Sequence, residues 1–202
     1  SIGLESLYSF ADFFNVINNF LQAFPTVEID ISECVLNGGW EALEKGRVDL
    51  LVGSPGPVPS QKGYRSVAMG RVELVPVIAA KHALASHALA KKHDKKQNID
   101  TVMGQLRRIV IHDTSFNGIA RSEGLSSDGQ MLYVQNMDQK IHAILAGIGI
   151  GNLPKHRVQG YLDKGVLLPL DIKQQDNAES FLAWKINNKG KGLRALTEML
   201  MV

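Results

Sequence analysis

A single cysteine, Cys34, stands in a chain of 202 residues. No internal disulfide can form, and the paired-cysteine spacings of secreted scaffolds and zinc ribbons are missing. A lone thiol fits a reducing compartment, so a cytoplasmic location is expected. Aromatic residues make up 6% of the chain and charged residues 21%, with 22 Lys and Arg against 20 Asp and Glu. That near-balance supplies no concentrated basic face for backbone contact with nucleic acid. No apolar run approaches the ~18 residues of a membrane span, so no membrane partner is expected. The opening Ser1-Ile2-Gly3-Leu4 reads as part of a strand, and the expectation is a piece cut from a longer protein.

Signatures of catalysis are missing too. There is no G-x-S-x-G elbow, Cys34 has no neighbouring histidine in its own element, and no acidic pair stands out for acid–base work. His82, His87 and His93 fall at spacings of five and six in lysine-rich sequence. Helical metal sites want ligands at i and i+4, so these read as a solvated surface and no metal is expected. Lys91, Lys92, Lys95, Lys96, Arg107 and Arg108 form the main basic cluster, without interleaved aromatics on which bases could stack. The run Ala146-Gly147-Ile148-Gly149-Ile150-Gly151 tempts a dinucleotide reading. A pyrophosphate loop needs strand, glycines and then helix, whereas here a helix precedes and a strand follows. Glycines that end a helix and let the returning strand pack closely account for it better, and no cofactor is expected.

What is present is an α/β alternation. Leu7, Phe10, Ala11, Phe14, Ile17, Phe20, Leu21 and Phe24 recur at helical spacing, with Ser6 or Ser9 as cap and Pro25 as stop. Val27 to Ile31 alternates as a strand, and Asn37-Gly38-Gly39 opens a short helix that ends at Gly46. Val48 to Val52 reads as a strand covered on both faces. Pro55, Pro57 and Pro59 mark the stretch from Gly53 to Tyr64 as a loop. Arg71 to Ala80 is a strand broken by Pro76, where the chain would leave one sheet for another. A second cycle follows, with strands at 108–112, 131–135, 148–153, 166–170 and 181–186. Its helix begins at Asn136 or Asp138, and a final helix covers Gly192 to Met201.

In parallel α/β sheets, ligands sit beyond the C-terminal strand ends, near helix N-termini. Those positions hold Ser6, Leu7, Asn37, Gly38, Gly53, Ser54, Thr114, Ser115, Phe116, Asn117 and Asn136. They offer hydroxyl, amide and backbone donors that suit a small polar or anionic metabolite. The plainer alternative is that Ser6, Asn37 and Asn136 only cap helices.

In order and spacing the chain resembles the effector-binding domain of LysR-type transcriptional regulators. The resemblance rests on Ile2-Gly3, on Phe24-Pro25-Thr26-Val27-Glu28-Ile29, and on Ala42 to Val52 with its Gly46-Arg47-Val48-Asp49-Leu50 core. It continues through Glu73 to Ile78, Lys81-His82-Ala83-Leu84-Ala85, and Ala146 to Pro154. Ala83 departs from the proline usual at that turn. The resemblance implies an α/β fold of two Rossmann-like lobes joined by two crossing strands, like the type II periplasmic binding proteins. Residues 1–73 plus 187–202 would form one subdomain and 74–186 the other, with an effector in the cleft between them. It further implies a homodimer or homotetramer that touches DNA only through a winged helix-turn-helix upstream of Ser1. The alternative is an extracytoplasmic solute-binding protein of a transporter, and a second rival is an enzyme on the same scaffold.

Overall fold

The computed structural model describes residues 1–60, 63–89, 104–116, 129–172 and 177–201. Within them the chain runs β1 (Ile2–Glu5), α1 (Phe10–Ala23), β2 (Ile31–Cys34), α2 (Asn37–Glu44), β3 (Leu50–Pro55), β4 (Tyr64–Ala79) and α3 (Ala85–Ala88). It continues through β5 (Arg108–Ile111), β6 (Met131–Val134), α4 (Met137–Leu145), β7 (Ile150–Pro154), α5 (Lys155–Asp163), β8 (Leu167–Pro169), β9 (Asn177–Lys185) and α6 (Lys191–Leu200). The chain divides into two units: Ser1–Val72, Asp113–Arg121 and Ala178–Val202 form the first, Glu73–His112 and Ser122–Asn177 the second.

In the first unit the strand order is β2-β1-β3-β9. β1 lies between two parallel partners, with Ile2 opposite Ile31 on one side and Leu50 on the other. β9 is antiparallel to β3, Leu50 facing Trp184. Period-two alternation then sorts the side chains to two faces. Ile2, Leu4, Leu50 and Val52 join Phe13, Ile17 and Phe20 of α1 and Leu196 and Leu200 of α6. Cys34, Leu51 and Ala183 join Trp40, Ala42 and Leu43 of α2. Helices thus cover both faces of the sheet, as the continuous apolar run of β3 anticipates.

The second unit has the order β4-β7-β5-β6, with β8 also on β4. β5 is parallel to β6 and β7, while β7 runs antiparallel to β4, Pro76 facing Asn152. The glycine run proves to be a packing device. Gly147 ends α4 at φ +81°, and a Cβ on Gly149 would lie 2.1 Å from the Arg107 carbonyl oxygen. Only a bare backbone lets β7 approach β5 that closely.

Several elements differ from their sequence expectation. Of the two caps expected for α1 it is Ser9 that serves, its hydroxyl accepting from the Asp12 N–H at 3.3 Å. The buried stripe is Phe13, Ile17 and Phe20, while Phe14 is 50% exposed. Phenylalanines at 10, 13, 14, 20 and 24 trace two overlapping helical faces, and periodicity alone does not choose between them. β2 occupies 31–34 instead of 27–31, because Glu5 at the end of β1 pairs with Cys34. β3 runs on through Gly53 and Ser54, which the prolines had placed in a loop. α5 was not foreseen. The expected second lobe included residues 178–186, but β9 adds to β3 and so belongs with the first unit.

Replacing Phe13 with Ala should cost about 3–5 kcal/mol of stability, the usual loss for a fully buried aromatic. Phe14→Ala should cost about 1 kcal/mol or less, mostly its edge-on contact with Phe13. Urea denaturation of the two variants separates the two helix faces.

Candidate functional site

The C-terminal ends of β1, β2 and β3 converge in the first unit. At the end of β1 the Ser6 N–H donates to the Cys34 carbonyl at 3.0 Å, keeping β1 and β2 paired one residue past the strand. Glu5 is fully buried, and its Oε1 accepts from the Ser6 N–H at 3.1 Å and the Ser6 hydroxyl at 3.0 Å. A carboxylate taken out of water in this way needs such donors. Burial, then Glu5, push the Cys34 thiol up to about 12. Cys34 is therefore a neutral core residue and not a nucleophile.

β3 reaches the same place by a bulge. Leu51 pairs with Ala183, but Ser54 pairs with Phe181, so β3 carries one residue more than β9 over this span. Gly53 supplies the bulge with φ +79°, and a side chain there would also strike Tyr8. Beyond the bulge, the indole N–H of Trp40 donates to the Pro55 carbonyl at 2.9 Å and holds β3 against α2. The result is that Ser54 is fully buried and turned toward α2. Its Oγ sits 2.7 Å from where a Cβ of Gly39 would be, with no hydrogen-bond partner among the described residues.

α2 begins without a side-chain cap of its own. The cap position is Leu36, held at φ +54°, which a leucine adopts only when its surroundings force it. The first N–H groups of a helix have no partner within it and carry partial positive charge. Here the Gly38 N–H is shared between the nearby Val35 carbonyl at 3.1 Å and a group distant in sequence. Asp113 Oδ1 accepts from the Gly38 N–H at 3.1 Å and from the Ser115 N–H at 2.9 Å. Thr114 Oγ1 accepts from the Val35 N–H at 3.0 Å, while the Thr114 N–H and hydroxyl both lie 3.3 Å from the Val35 carbonyl. The Phe116 N–H donates to Glu41 Oε2 at 2.9 Å, and the Arg47 guanidinium lies 5.2 Å from the Phe116 ring centre. Glu41 in turn is paired with Lys45 and Arg47. Beside this seat lies an open pocket of about 250 Å³, lined by Asn37, Trp40, Glu41, Tyr64 and Ser115 among others.

Of the residues expected from sequence, Gly38, Thr114, Ser115 and Phe116 come together at the start of α2, with Asn37 and Ser115 both lining the pocket. Ser54 lies against the first turn of α2, and Ser6 is engaged with Glu5. Gly53 serves the bulge and packs against Tyr8, while Leu7, the residue before Tyr8, is half-buried. Asn136 belongs to the second unit, where its Oδ1 accepts from the Gln139 N–H at 2.9 Å and caps α4. Asn117 lies outside the described residues. Glu5, Glu41 and Asp113 were not foreseen. For Asp113 a signal existed, since Asp-Thr-Ser after a strand is a sequence that bonds its own backbone two residues on. Among the described residues no group of three His, Cys, Asp or Glu could hold a metal ion, and no helix is long and apolar enough to cross a membrane.

A family model described as LysR substrate binding domain matches residues 1–201. The Escherichia coli K12 protein YeeY, an uncharacterized HTH-type transcriptional regulator, is 26% identical over 190 residues, 94% of this chain and 59% of its own length. This chain thus spans about three fifths of that relative. Among solved structures, the regulatory domain of the LysR family regulator MetR from Neisseria meningitidis aligns with a TM-score of 0.67 at 16% identity, covering 99% of this chain and 90% of that one. Full-length LysG from Corynebacterium glutamicum, with bound effector Arg, gives 0.70 at 15% identity, covering 99% and 66%.

Two outcomes test the site's packing. A Cβ on Gly38 would lie 1.9 Å from Thr114 Oγ1 and 2.6 Å from the Thr114 carbonyl carbon. Gly38→Ala should therefore cost about 1–3 kcal/mol in thermal or urea unfolding. Gly160→Ala, in α5 with open space around it, should instead stabilise by up to about 1 kcal/mol. The raised Cys34 pKa means its folded-state stabilisation is complete below the unfolded thiol's value of about 8.5 and is lost as pH climbs toward 12. At pH 8 a thiol reagent such as Ellman's should label Cys34 only at the rate of unfolding. Rapid labelling of the native chain would contradict the burial.

Proposed function

Because the chain belongs to the LysR substrate-binding domain family, we propose that it is the effector-sensing module of a cytoplasmic, oligomeric LysR-type transcription regulator. In this reading it binds a small polar or anionic metabolite near the start of α2 and has no catalytic role. It acts on DNA only through a helix-turn-helix domain outside this chain. The observation that carries the reading is the convergence of helix N–H groups, two glycines and the unpartnered Ser54 hydroxyl at the C-terminal ends of three strands. Backbone donors and a buried hydroxyl hold polar groups, and the match to a substrate-binding family whose relatives are named as regulators supports a binding role over a catalytic one. LysG, a protein of like fold, holds Arg as its effector, which supports a site for a charged small molecule. The naming of YeeY as a regulator speaks against a transport component.

The mechanism is a shift of population. A ligand moves an equilibrium only by its differential affinity for two states, and couplings of about 1–3 kcal/mol are typical. The test is a thermal-shift screen of the domain against metabolites. A ligand at 100 times its Kd should add about 2.7 kcal/mol of stability. Its effect should weaken about tenfold in concentration dependence on Ser54→Ala, the loss of one hydrogen bond. An effector whose affinity that variant leaves unchanged would place the binding site elsewhere.

A further inference from the structure

The segment 113–116 sits on α2 as a ligand would. It presents a carboxylate to the Gly38 N–H through Asp113, a hydroxyl to the Val35 N–H through Thr114, and a backbone N–H to Glu41 through Phe116. Gly38 has no room for a methyl group because Thr114 fills that space. Leu36 is held at positive φ immediately before the helix. One group nearby remains unsatisfied. Ser54 is fully buried, its Oγ is turned onto the first turn of α2 next to Gly39, and it has no partner among the described residues. A buried hydroxyl without a partner is destabilising. It is the mark of a position prepared for something other than the segment now there.

We infer that Asp113 is a built-in competitor for the effector: its carboxylate holds the α2 donor position that an acidic group of the ligand takes when it displaces the 113–116 segment. This rests on the reading of α2 as the effector site and adds its regulation. An incoming anion replaces Asp113 at the Gly38 N–H, a donor Asp113 shares with the Val35 carbonyl, and gains the Ser54 hydroxyl, which Asp113 leaves unused. Asp113 then sets both the threshold and the charge preference of the site. Removing its charge tightens binding of anions.

The experiment uses the 15N-labelled domain with inorganic sulfate as probe, at constant ionic strength, and follows the Gly38 amide by NMR. In Asp113→Ala the Gly38 resonance should titrate with a half-saturation at least ~10-fold below that of the unsubstituted chain, the scale of one charge-assisted hydrogen bond. Asp113→Asn keeps the acceptor and loses the charge, and should fall between the two. Equal half-saturation in all three proteins overturns the proposal, as does a Gly38 resonance that ignores sulfate in well-dispersed spectra of each. Should Asp113→Ala lose spectral dispersion, Asp113→Asn decides alone, and a titration identical to the unsubstituted chain counts against the competitor. The two readings fail separately. A metabolite that stabilises the domain equally with and without Asp113→Asn sinks the competition and spares the sensor. A tightened sulfate response without any stabilising metabolite does the reverse.

Discussion

The structure turns on how the first turn of α2 is satisfied. A helix that starts beside the ends of parallel strands points unpaired N–H groups at whatever lies beyond those ends. In most helices a serine, threonine or aspartate at the cap answers them locally. Here the cap position is a leucine in a left-handed conformation; the Val35 carbonyl and Asp113 answer the Gly38 N–H together, while Thr114 holds Val35 just before the cap. That single choice explains the neighbouring residues. Gly38 must be bare because Thr114 lies where its side chain would be, and Gly39 must be bare because Ser54 does.

The remainder of the first unit holds this point still. α2 is fastened to the sheet by Trp40, Leu43 and Leu51, all buried, and by the indole bond to Pro55. β1 is buried from end to end, so Glu5 and Ser6 emerge at a fixed height. The bulge at Gly53 turns Ser54 inward without breaking the pairing with β9. A site built on strand ends and a helix start is more precise than one built on loops alone. The one loop that does take part, 113–116, is bonded at successive positions along its length. Its seating is thus cooperative, and loosening one bond weakens the others.

The element order was legible because alternating periods of 3.6 and 2 are strong signals, and because glycines ended helices where expected, although β3 runs into Pro55 and β4 through Pro76. Gly46 and Gly147 both adopt the positive φ of helix ends. What failed was whatever depends on contacts distant in sequence. Phe13 and Phe14 are adjacent, and only the sheet decides which one is buried. The register of β2 is set by β1, across more than an element of chain. β9 looks like one more strand of the second cycle until its pairing with β3 is known. Positional reasoning pointed to Gly38, Ser54 and Thr114, which do lie together at the start of α2, since strand ends and helix starts can be read off the order of elements. It missed Asp113 because its bond to Gly38 spans 75 positions. For Asn136 the plainer alternative already drawn from sequence is the one seen, its side chain capping its own helix.

A tethered occupant has consequences for the range over which a sensor responds. If the self-bound segment is favoured by about 1.5–3 kcal/mol, the strength of a hydrogen bond to a charged group, the open site is populated only about 1–10% of the time. Apparent affinity falls by that same fraction, about 10- to 100-fold, without any change in the contacts the ligand makes. Such a site ignores weak anions at low concentration and answers a metabolite present in quantity. The pocket beside it, about 250 Å³, lies just under the ~300–1,000 Å³ of drug-sized ligand sites. A small metabolite has few contacts to spend, so the balance between its acidic group and Asp113 weighs heavily in whether it binds at all. Selectivity on this view comes less from the shape of the cavity than from the requirement to outcompete a carboxylate already in place.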